Sequence, residues 1–437
     1  MSVEFQSIAF DPSDAMAALR QLPGSPAVFA LYGAEARDEP YIGRSPNLRG
    51  RLERLLQPSA GHPRRLQLAG RVRRIAFRLT GSDFESLLIQ FSLLEEFYGA
   101  KALERMHLRA PAFVRYLGGN PYPRIVVTHK PSQREADWAY GPFASRASAE
   151  RFAEEALKLF LLRRCTDDLN PDPSHPGCVY SEMKMCLAPC YKGCTDERYA
   201  EEASAVQNFL ATRGESRLVV LRGERDAASA NLEFESAAAL HAQVQRLESV
   251  RGLASELVRP MSRQRGVILQ PSATVSTAAS AALAEVSVFL YEQGRLRGPV
   301  GFSTLGMRIQ NEQSGSTSLF AQPMAIEPIP ESPGPEWLPL PGETEEAAAA
   351  KIPKTARSVL EARMEAALGT LREDSGTPSA TVRQGHLALL KRWYYRPEVR
   401  REGEIFFPDA DEHWPIKAML RGVGRVAAKT LAQGSRM

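Results

Sequence analysis

The five cysteines of this chain all lie between positions 165 and 194 of its 437 residues. They are Cys165, Cys178, Cys186, Cys190 and Cys194. Thiolates converge in this way where a soft cation offsets their mutual repulsion. The spacing therefore predicts a bound metal ion or metal cluster.

The composition favours a metal over disulfides as the reason for these cysteines. Hydrophobic residues make up 43% and charged residues 24% of the chain, as in ordinary soluble proteins. The N-terminus lacks the basic-then-apolar layout of a signal peptide, and no apolar run is long enough to span a membrane. We therefore expect a cytoplasmic protein with no membrane partner. Disulfides are rare in that compartment, and an odd cysteine count fits a disulfide framework poorly.

A dense run of arginines occupies positions 44–78, although the net charge of the whole chain is only +4. Glu53 is the only acidic residue in this run. The arginines are Arg44, Arg49, Arg51, Arg54, Arg64, Arg65, Arg71, Arg73, Arg74 and Arg78. Such a patch can hold a phosphate backbone, or it can be a solvated basic face. The sequence alone favours neither interpretation.

The elements that must position these residues begin with a small α/β unit over 21–130. Apolar patterning predicts three strands: one at 27–32, one that begins at Pro40, and one at 72–79. It also predicts helices at 47–56 and 84–97. The cysteine segment is rich in Pro and Gly, which is typical of loops.

The second half of the chain is predicted to be more helical. An Ala- and Glu-rich stretch over 198–250, broken near Gly214, indicates an antiparallel helical pair. Residues 286–302 predict a hairpin that turns at Gln293-Gly294. We expect a linker or an irregular surface segment over 321–345, and helices over 347–371 and 384–395.

Three consecutive segments resemble the bacterial excinuclease subunit UvrC, a family that incises DNA on both sides of a lesion during nucleotide excision repair. Residues 26–29 and 41–52 are similar to the paired tripeptides of a GIY-YIG nuclease domain and its following basic helix. The cysteine segment is similar to the family's cysteine-rich region. Residues 231–238 resemble the core of the UVR motif. The three segments stand in the family's order.

The resemblance implies an α/β and α multi-domain fold. A GIY-YIG nuclease-like α/β domain would occupy 15–110, and a cysteine-rich cluster-binding loop region 111–197. A UVR-like helical hairpin would occupy 198–252. Residues 255–437 would form a reduced α/β region resembling the lead-in to the family's second nuclease domain. On this interpretation the chain is truncated before that RNase-H-like domain.

The resemblance also implies a remnant nuclease site. Tyr41 would be the tyrosine of the second tripeptide, Arg44 the basic residue after its glycine, and Arg51 the arginine of the helix. The tyrosine of the first tripeptide is replaced by Phe29, which has no hydroxyl.

The family's metal-binding glutamate is also replaced. Gln90 stands at its position, and a neutral amide cannot match a carboxylate as a ligand of Mg²⁺. We therefore expect no metal at this site. The alternative is that Glu85, on the same helix, has taken over as ligand. Five residues separate the two positions, which places them on different faces of the helix.

Four of the cysteines match the family's ligand positions: Cys165, Cys178, Cys186 and Cys190. The resemblance favours a [4Fe–4S] cluster on these residues. Four thiolates at this spacing can also bind tetrahedral Zn²⁺. Cys194 lies outside the matched positions and is either a spare thiol or a replacement for Cys190 in a zinc site. In either case we expect a structural role.

The remaining segments suggest partners. In the family, the UVR motif binds a counterpart in the UvrB subunit. The corresponding helices here carry apolar residues that would either bind such a partner or pack within the chain. These residues are Leu221, Ala228, Leu232, Phe234, Ala238, Leu240 and Val244.

Residues 420–431 resemble half of a helix-hairpin-helix element around Gly422-Val423-Gly424. Asp409, Asp411 and His413 are interpreted as a solvated loop.

We therefore expect a UvrC-like DNA-repair protein that binds DNA, a UvrB-type partner or both, without efficient incision. The alternatives are an active endonuclease with a rearranged metal site, and an interaction scaffold with no affinity for DNA.

Overall fold

The computed structural model describes residues 5–35, 39–56, 68–166, 169–278, 281–305, 307, 357–373, 376, 378–409 and 411–434. Within them the chain forms three four-stranded antiparallel sheets with helices around them, which confirms the predicted mixed α/β class. The linker predicted at 321–345 and the start of the helix predicted from Ala347 lie outside the described residues. No helix in these ranges is both long enough and apolar enough to cross a membrane.

The N-terminal domain is built on the first sheet. Its strands are β1 (Gln6–Ala9), β2 (Ala27–Tyr32), β3 (Tyr41–Ser45) and β4 (Arg74–Leu79). Its helices are α1 (Ala15–Arg20), α2 (Leu48–Leu56), α3 (Asp83–Tyr98) and α4 (Lys101–Arg105). The strand order is β1-β4-β2-β3. Side chains alternate along each strand, so Phe29 packs in the core that holds α1 and α2 while Val28 packs against Ile89 of α3.

The middle domain begins with β5 (Ala112–Tyr116), β6 (Ile125–Thr128) and β7 (Ala139–Phe143). Its helices are α5 (Arg146–Leu157), α6 (Val179–Glu182) and α7 (Asp196–Ala211). The short β8 (Arg259–Pro260) returns later in the chain to pair with β7, giving the order β6-β5-β7-β8. In its described residues, the cysteine segment has no regular structure apart from α6 and single turns, as predicted.

Two long helices, α8 (Glu215–Ala230) and α9 (Phe234–Gly252), form an antiparallel hairpin. Ion pairs join them at Arg222–Glu248 (2.7 Å) and Arg251–Glu215 (2.9 Å). The sequence predicted two helices over 198–250 with a break near Gly214. The structure has three, because that break separates α7 from α8 and a second break precedes α9.

The C-terminal module is built on the third sheet. Its strands are β9 (Arg265–Ala278), β10 (Ala281–Glu292), β11 (Arg295–Ser303) and β12 (Glu404–Phe406). Its helices are α10 (Arg357–Glu373), α11 (Ala380–Tyr394) and α12 (Ile416–Gly434). The strand order is β11-β10-β9-β12. The predicted hairpin is confirmed, and its turn has positive φ at Gln293 (49°) and Gly294 (81°), as a two-residue hairpin turn requires.

The helix-hairpin-helix interpretation of Gly422-Val423-Gly424 is wrong. These residues lie inside the continuous helix α12. A Cβ at Gly422 would come 2.5 Å from the Phe406 ring, so the glycine allows α12 to approach β12 closely. Burial of Val423 and Val426 on this helix outweighs the modest cost of glycine in a helix.

The N-terminal domain and the C-terminal module share one core. On α3, Phe84 lies 5.3 Å from the Trp393 ring and 5.4 Å from the Phe289 ring. A Cβ at Gly385 on α11 would come 2.0 Å from Phe91 on α3. Helix α3 is therefore buried on two sides, against its own sheet and against α11.

Candidate functional site

Four of the five cysteines line one small cavity. Its lining residues are Arg163, Arg164, Cys165, Leu169, Cys178, Tyr180, Cys186, Pro189 and Cys190. Cys194 is not among them and packs instead against the core of the middle domain. The structure thus brings together the four thiols that the sequence singled out and sets the fifth apart.

Local backbone geometry directs hydrogen bonds at these sulfurs. Ala188 has a left-handed backbone (φ 54°), and its N–H donates to the Sγ of Cys186 at 3.4 Å. The Nη1 of Arg163 donates to the Sγ of Cys165 at 3.5 Å. Arg163 is only 1% exposed, and its Nε donates to the carbonyl of Tyr122. Donors of this kind stabilise thiolate sulfur.

The electrostatics of the cavity suit a bound cation. Burial raises the pKa of the Cys186 thiol, and the neighbouring thiols Cys178, Cys190 and Cys165 raise it further. Burial likewise raises the pKa of Cys190, with Cys178 adding to it. A metal reverses this cost, because it binds thiolates and releases their protons.

The donor set fits a metal centre. Four thiols around one cavity can bind either a [4Fe–4S] cluster or tetrahedral Zn²⁺.

The predicted nuclease residues divide between the two faces of the first sheet. The Tyr41 ring packs 6.2 Å from the Phe29 ring, on the face that carries α2 and therefore Arg51. Arg44 lies three residues after Tyr41, so the alternation of β3 turns it toward α3 on the other face. Tyr41 and Arg44 therefore lie on opposite faces of β3.

Arg44 is held in an ion pair that reaches the C-terminal module. Its guanidinium pairs with Asp83 at the start of α3, and Asp83 also accepts from Arg396 at 2.7 Å. Burial acts to raise the pKa of Asp83, but the hydrogen bonds and charges of Arg396 and Arg44 outweigh it and hold the pKa below its usual value. A carboxylate shared by two guanidiniums has little capacity left for a metal.

Glu85 is poorly placed to act as a substitute ligand. Its side chain is only 4% exposed, accepts from the Gly81 N–H at 3.0 Å and lies 4.0 Å from Arg78. Burial raises its pKa, which favours the neutral carboxyl form. Gln90 lies further along α3 and is half-buried.

Part of the arginine patch is committed to holding the N-terminal domain together. Arg49, Arg54 and Arg73 each donate to backbone carbonyls within that domain. Arg74 lies over the Tyr32 ring at 3.8 Å. Arg64 and Arg65 lie outside the described residues. The patch is therefore partly structural and less available to a phosphate backbone than its residue count suggests.

The apolar residues predicted on the helical hairpin differ in burial according to their position along it. Toward its base, Leu221 and Val244 are buried in the core of the middle domain, and Ala228, close to the turn, is also buried. At its tip, Leu232 is 72% and Phe234 is 67% exposed. The base belongs to the core of the middle domain, while the tip presents large apolar side chains to solvent.

The acidic loop after β12 has side chains close enough to share a cation, with ligand atoms of Asp409, Asp411 and His413 within 4.8 Å of one another. All three are exposed, and Asp409 already accepts the backbone N–H groups of Asp411 and His413. These contacts account for the loop as a hydrogen-bonded turn.

Sequence reasoning missed Asp83, Arg396 and Arg163. Asp83 and Arg396 are 313 residues apart, and no local pattern links them. Arg163 stands two residues before Cys165, where an arginine beside a metal ligand could have signalled a buried cation at the thiols.

The middle of the chain matches a known family model. Residues 113–209 match the model described as the middle domain of the UvrC/Cho excinucleases. The match takes in β5 to β7, the whole cysteine segment and most of α7.

Curated relatives extend the similarity to about 55% of the chain. It is 28% identical over 242 residues to UvrABC system protein C of Alcanivorax borkumensis, covering 55% of this chain and 39% of that protein. It is 30% identical over 245 residues to UvrABC system protein C of Ruegeria pomeroyi, covering 54% and 37%. The chain thus spans well under half the length of these relatives, and over the matched part it is UvrC-like. No solved structure matches it.

Proposed function

We propose that this chain is a nucleotide-excision-repair protein that binds DNA, a UvrB-type partner or both, and that it does not incise DNA efficiently. The repair role rests on the similarity to UvrABC system protein C and on the middle-domain match.

The state of Arg44 carries the proposal that incision is absent. Phosphodiester cleavage needs a free cation for the developing phosphate charge and a carboxylate to hold the metal. Arg44 is instead held by Asp83, and Asp83 is also held by Arg396. Phe29 and Gln90 replace the hydroxyl and the carboxylate that a GIY-YIG site would use. This domain then serves DNA or protein contact.

The tip of the helical hairpin supports partner binding. Leu232 and Phe234 are large, apolar and mostly exposed, and they lie within the segment that resembles a UVR motif. Apolar anchors on a helix are suited to a complementary helical surface. A UvrB-type hairpin is the proposed counterpart.

The four-cysteine cavity is proposed to hold a [4Fe–4S] cluster on Cys165, Cys178, Cys186 and Cys190, and Zn²⁺ is the alternative. The resemblance of the segment to the UvrC cysteine-rich region favours the cluster. The centre would order the loop between α5 and α7, a structural role. Iron, sulfide and zinc analysis of anaerobically purified protein distinguishes the two, and a protein with neither metal would refute both.

Incision is tested with purified protein, Mg²⁺ or Mn²⁺, and nicked or lesion-bearing duplex DNA. We expect no cleavage above background. Metal-dependent cleavage that is lost in Tyr41→Phe would establish an active endonuclease and overturn the proposal. Salt-sensitive binding to the same duplex would exclude a scaffold without DNA affinity.

A further inference from the structure

Aromatic rings and arginines alternate where the C-terminal end of α11 meets the middle domain. Arg401 lies over the Tyr394 ring at 5.6 Å, the Tyr394 and Phe407 rings are 6.4 Å apart, and Arg259 lies over Phe407 at 5.2 Å. Arg213, at the turn between α7 and α8, is close enough to influence Arg259 electrostatically. We call these five residues the Tyr394 surface.

Cations crowd one another on and beside this surface. Burial lowers the pKa of Arg259, and the nearby charge of Arg213 lowers it further, while Glu256 and Tyr394 act in the opposite direction. One turn before Tyr394, burial lowers the pKa of Lys391 and the charge of Arg109 adds to the effect. Crowded cations of this kind are stabilised by a bound anion.

Two arginines of the surface are anchored by single hydrogen bonds to the backbone. The Nη1 of Arg401 donates to the Tyr394 carbonyl at 3.1 Å, and the Nε of Arg259 donates to the Glu256 carbonyl at 3.2 Å. A guanidinium has five N–H donors, so each bond uses one of them. All five residues are half-buried rather than enclosed. Contact with the rings restricts the guanidiniums, so less entropy is lost when they bind a phosphate.

We propose that the Tyr394 surface binds single-stranded nucleic acid. Arginines spaced by rings provide cations for successive phosphates and flat faces on which unstacked bases can lie. A duplex keeps its base faces stacked inside and cannot use the rings in this way. The inference deepens the proposed function by assigning a location and strandedness to nucleic-acid binding.

The surface is separate from the predicted nuclease residues but is fixed relative to them. Arg396 follows Tyr394 by two residues and is held by Asp83 of the N-terminal domain. A strand on the Tyr394 surface would therefore lie at the junction of all three folded parts of the chain.

The first test measures fluorescence anisotropy of the full chain with a labelled oligothymidylate of about 15 nucleotides and with a duplex of equal length, over a series of salt concentrations. The variant combines Arg213→Gln, Arg259→Gln and Lys391→Gln. Its matched control combines Lys130→Gln, Arg134→Gln and Arg151→Gln, which are exposed residues with no ion pair in the described structure. Both remove one lysine and two arginines.

We expect the surface variant to bind the single strand roughly tenfold or more weakly, with the slope of log affinity against log salt reduced by about two. The control should match the wild type in both. Equal single-strand binding by wild type and surface variant would overturn the inference. Duplex binding retained by that same variant would leave the proposed function intact.

The second test separates the ring from the charges. Tyr394→Leu should weaken oligothymidylate binding roughly five- to hundredfold, the range of base–aromatic stacking, whereas Tyr394→Phe should bind as the wild type does. Melting temperatures of both variants check that each is folded. A folded Tyr394→Leu variant with unchanged binding would overturn the stacking role. No binding of either probe at low salt would overturn the whole inference, and capture of UvrB would then test the proposed function by itself.

Discussion

The N-terminal domain and the cysteine segment differ in how their candidate functional residues are arranged. The N-terminal domain has a regular sheet and helices, yet Phe29 packs in the core and Arg44 is held by Asp83. The described part of the cysteine segment has little regular structure, yet four of its thiols line one cavity.

The contrast follows from what stabilises each region. The N-terminal domain buries apolar side chains on both faces of its sheet and against α11, so its fold does not depend on a catalytic group. An irregular loop buries little by itself and needs a ligand or cross-link to become ordered. Substitution of a candidate site residue should therefore disturb the fold less in the first region than in the second.

The sharpest test of this contrast compares two cysteines. Cys186→Ser should abolish stoichiometric metal binding and loosen the loop, because structural metal sites contribute much of the folding free energy of the segment that binds them, about 10–16 kcal/mol for zinc-finger peptides. Cys194→Ser, outside the cavity, should retain metal. Metal content and limited proteolysis between α5 and α7 report the result. Equal metal content in the two variants would contradict a centre at this cavity.

The second test addresses the packing of the N-terminal domain against the C-terminal module. Gly385→Ala places a Cβ 2.0 Å from the Phe91 ring and should destabilise the protein by about 1–3 kcal/mol, the usual cost of overpacking. Gly369→Ala in α10 meets no atom within 4 Å and should stabilise by up to about 1 kcal/mol through helix propensity. Urea unfolding of both variants measures the difference. Stability equal to wild type in Gly385→Ala would mean that α3 and α11 are not closely packed.

Local patterns predicted much of the fold. Helical periodicity located α3 within one residue at each end, and Gln293-Gly294 located the hairpin turn. These features depend on neighbours in the sequence, which the sequence displays directly.

The errors and omissions depended on distant neighbours. Gly422 resembled the glycine of a helix-hairpin-helix turn. In the structure it lies inside a helix, where the missing side chain leaves room for the Phe406 ring of β12. The spacing of the cysteines singled out four candidate ligands but could not show that they line one cavity. The pairing of Asp83 with Arg396 depends on the docking of two domains, which no local motif encodes.

The smallest expected effect comes from that ion pair. Asp83→Asn should destabilise the protein by about 1 kcal/mol at pH 7, since the pair is about one-third exposed and is partly screened. The variant also leaves Arg44 and Arg396 facing each other without a carboxylate. Asp137→Asn, at an exposed aspartate without an ion pair in the described structure, provides the control and should match the wild type.

The pH dependence of the free energy of unfolding distinguishes the Asp83 ion pair from a packing effect. The pKa of Asp83 is lower in the folded state, so its contribution to stability is complete above the unfolded pKa of about 4 and is lost as pH falls through the folded pKa. The free energies of unfolding of wild type and Asp83→Asn should therefore converge on acidification below about pH 4. A difference that persists unchanged to low pH would assign the effect to packing. Arg44 would then not be held by its ion pair with Asp83. The electrostatic part of the comparison between the N-terminal domain and the cysteine segment would be wrong.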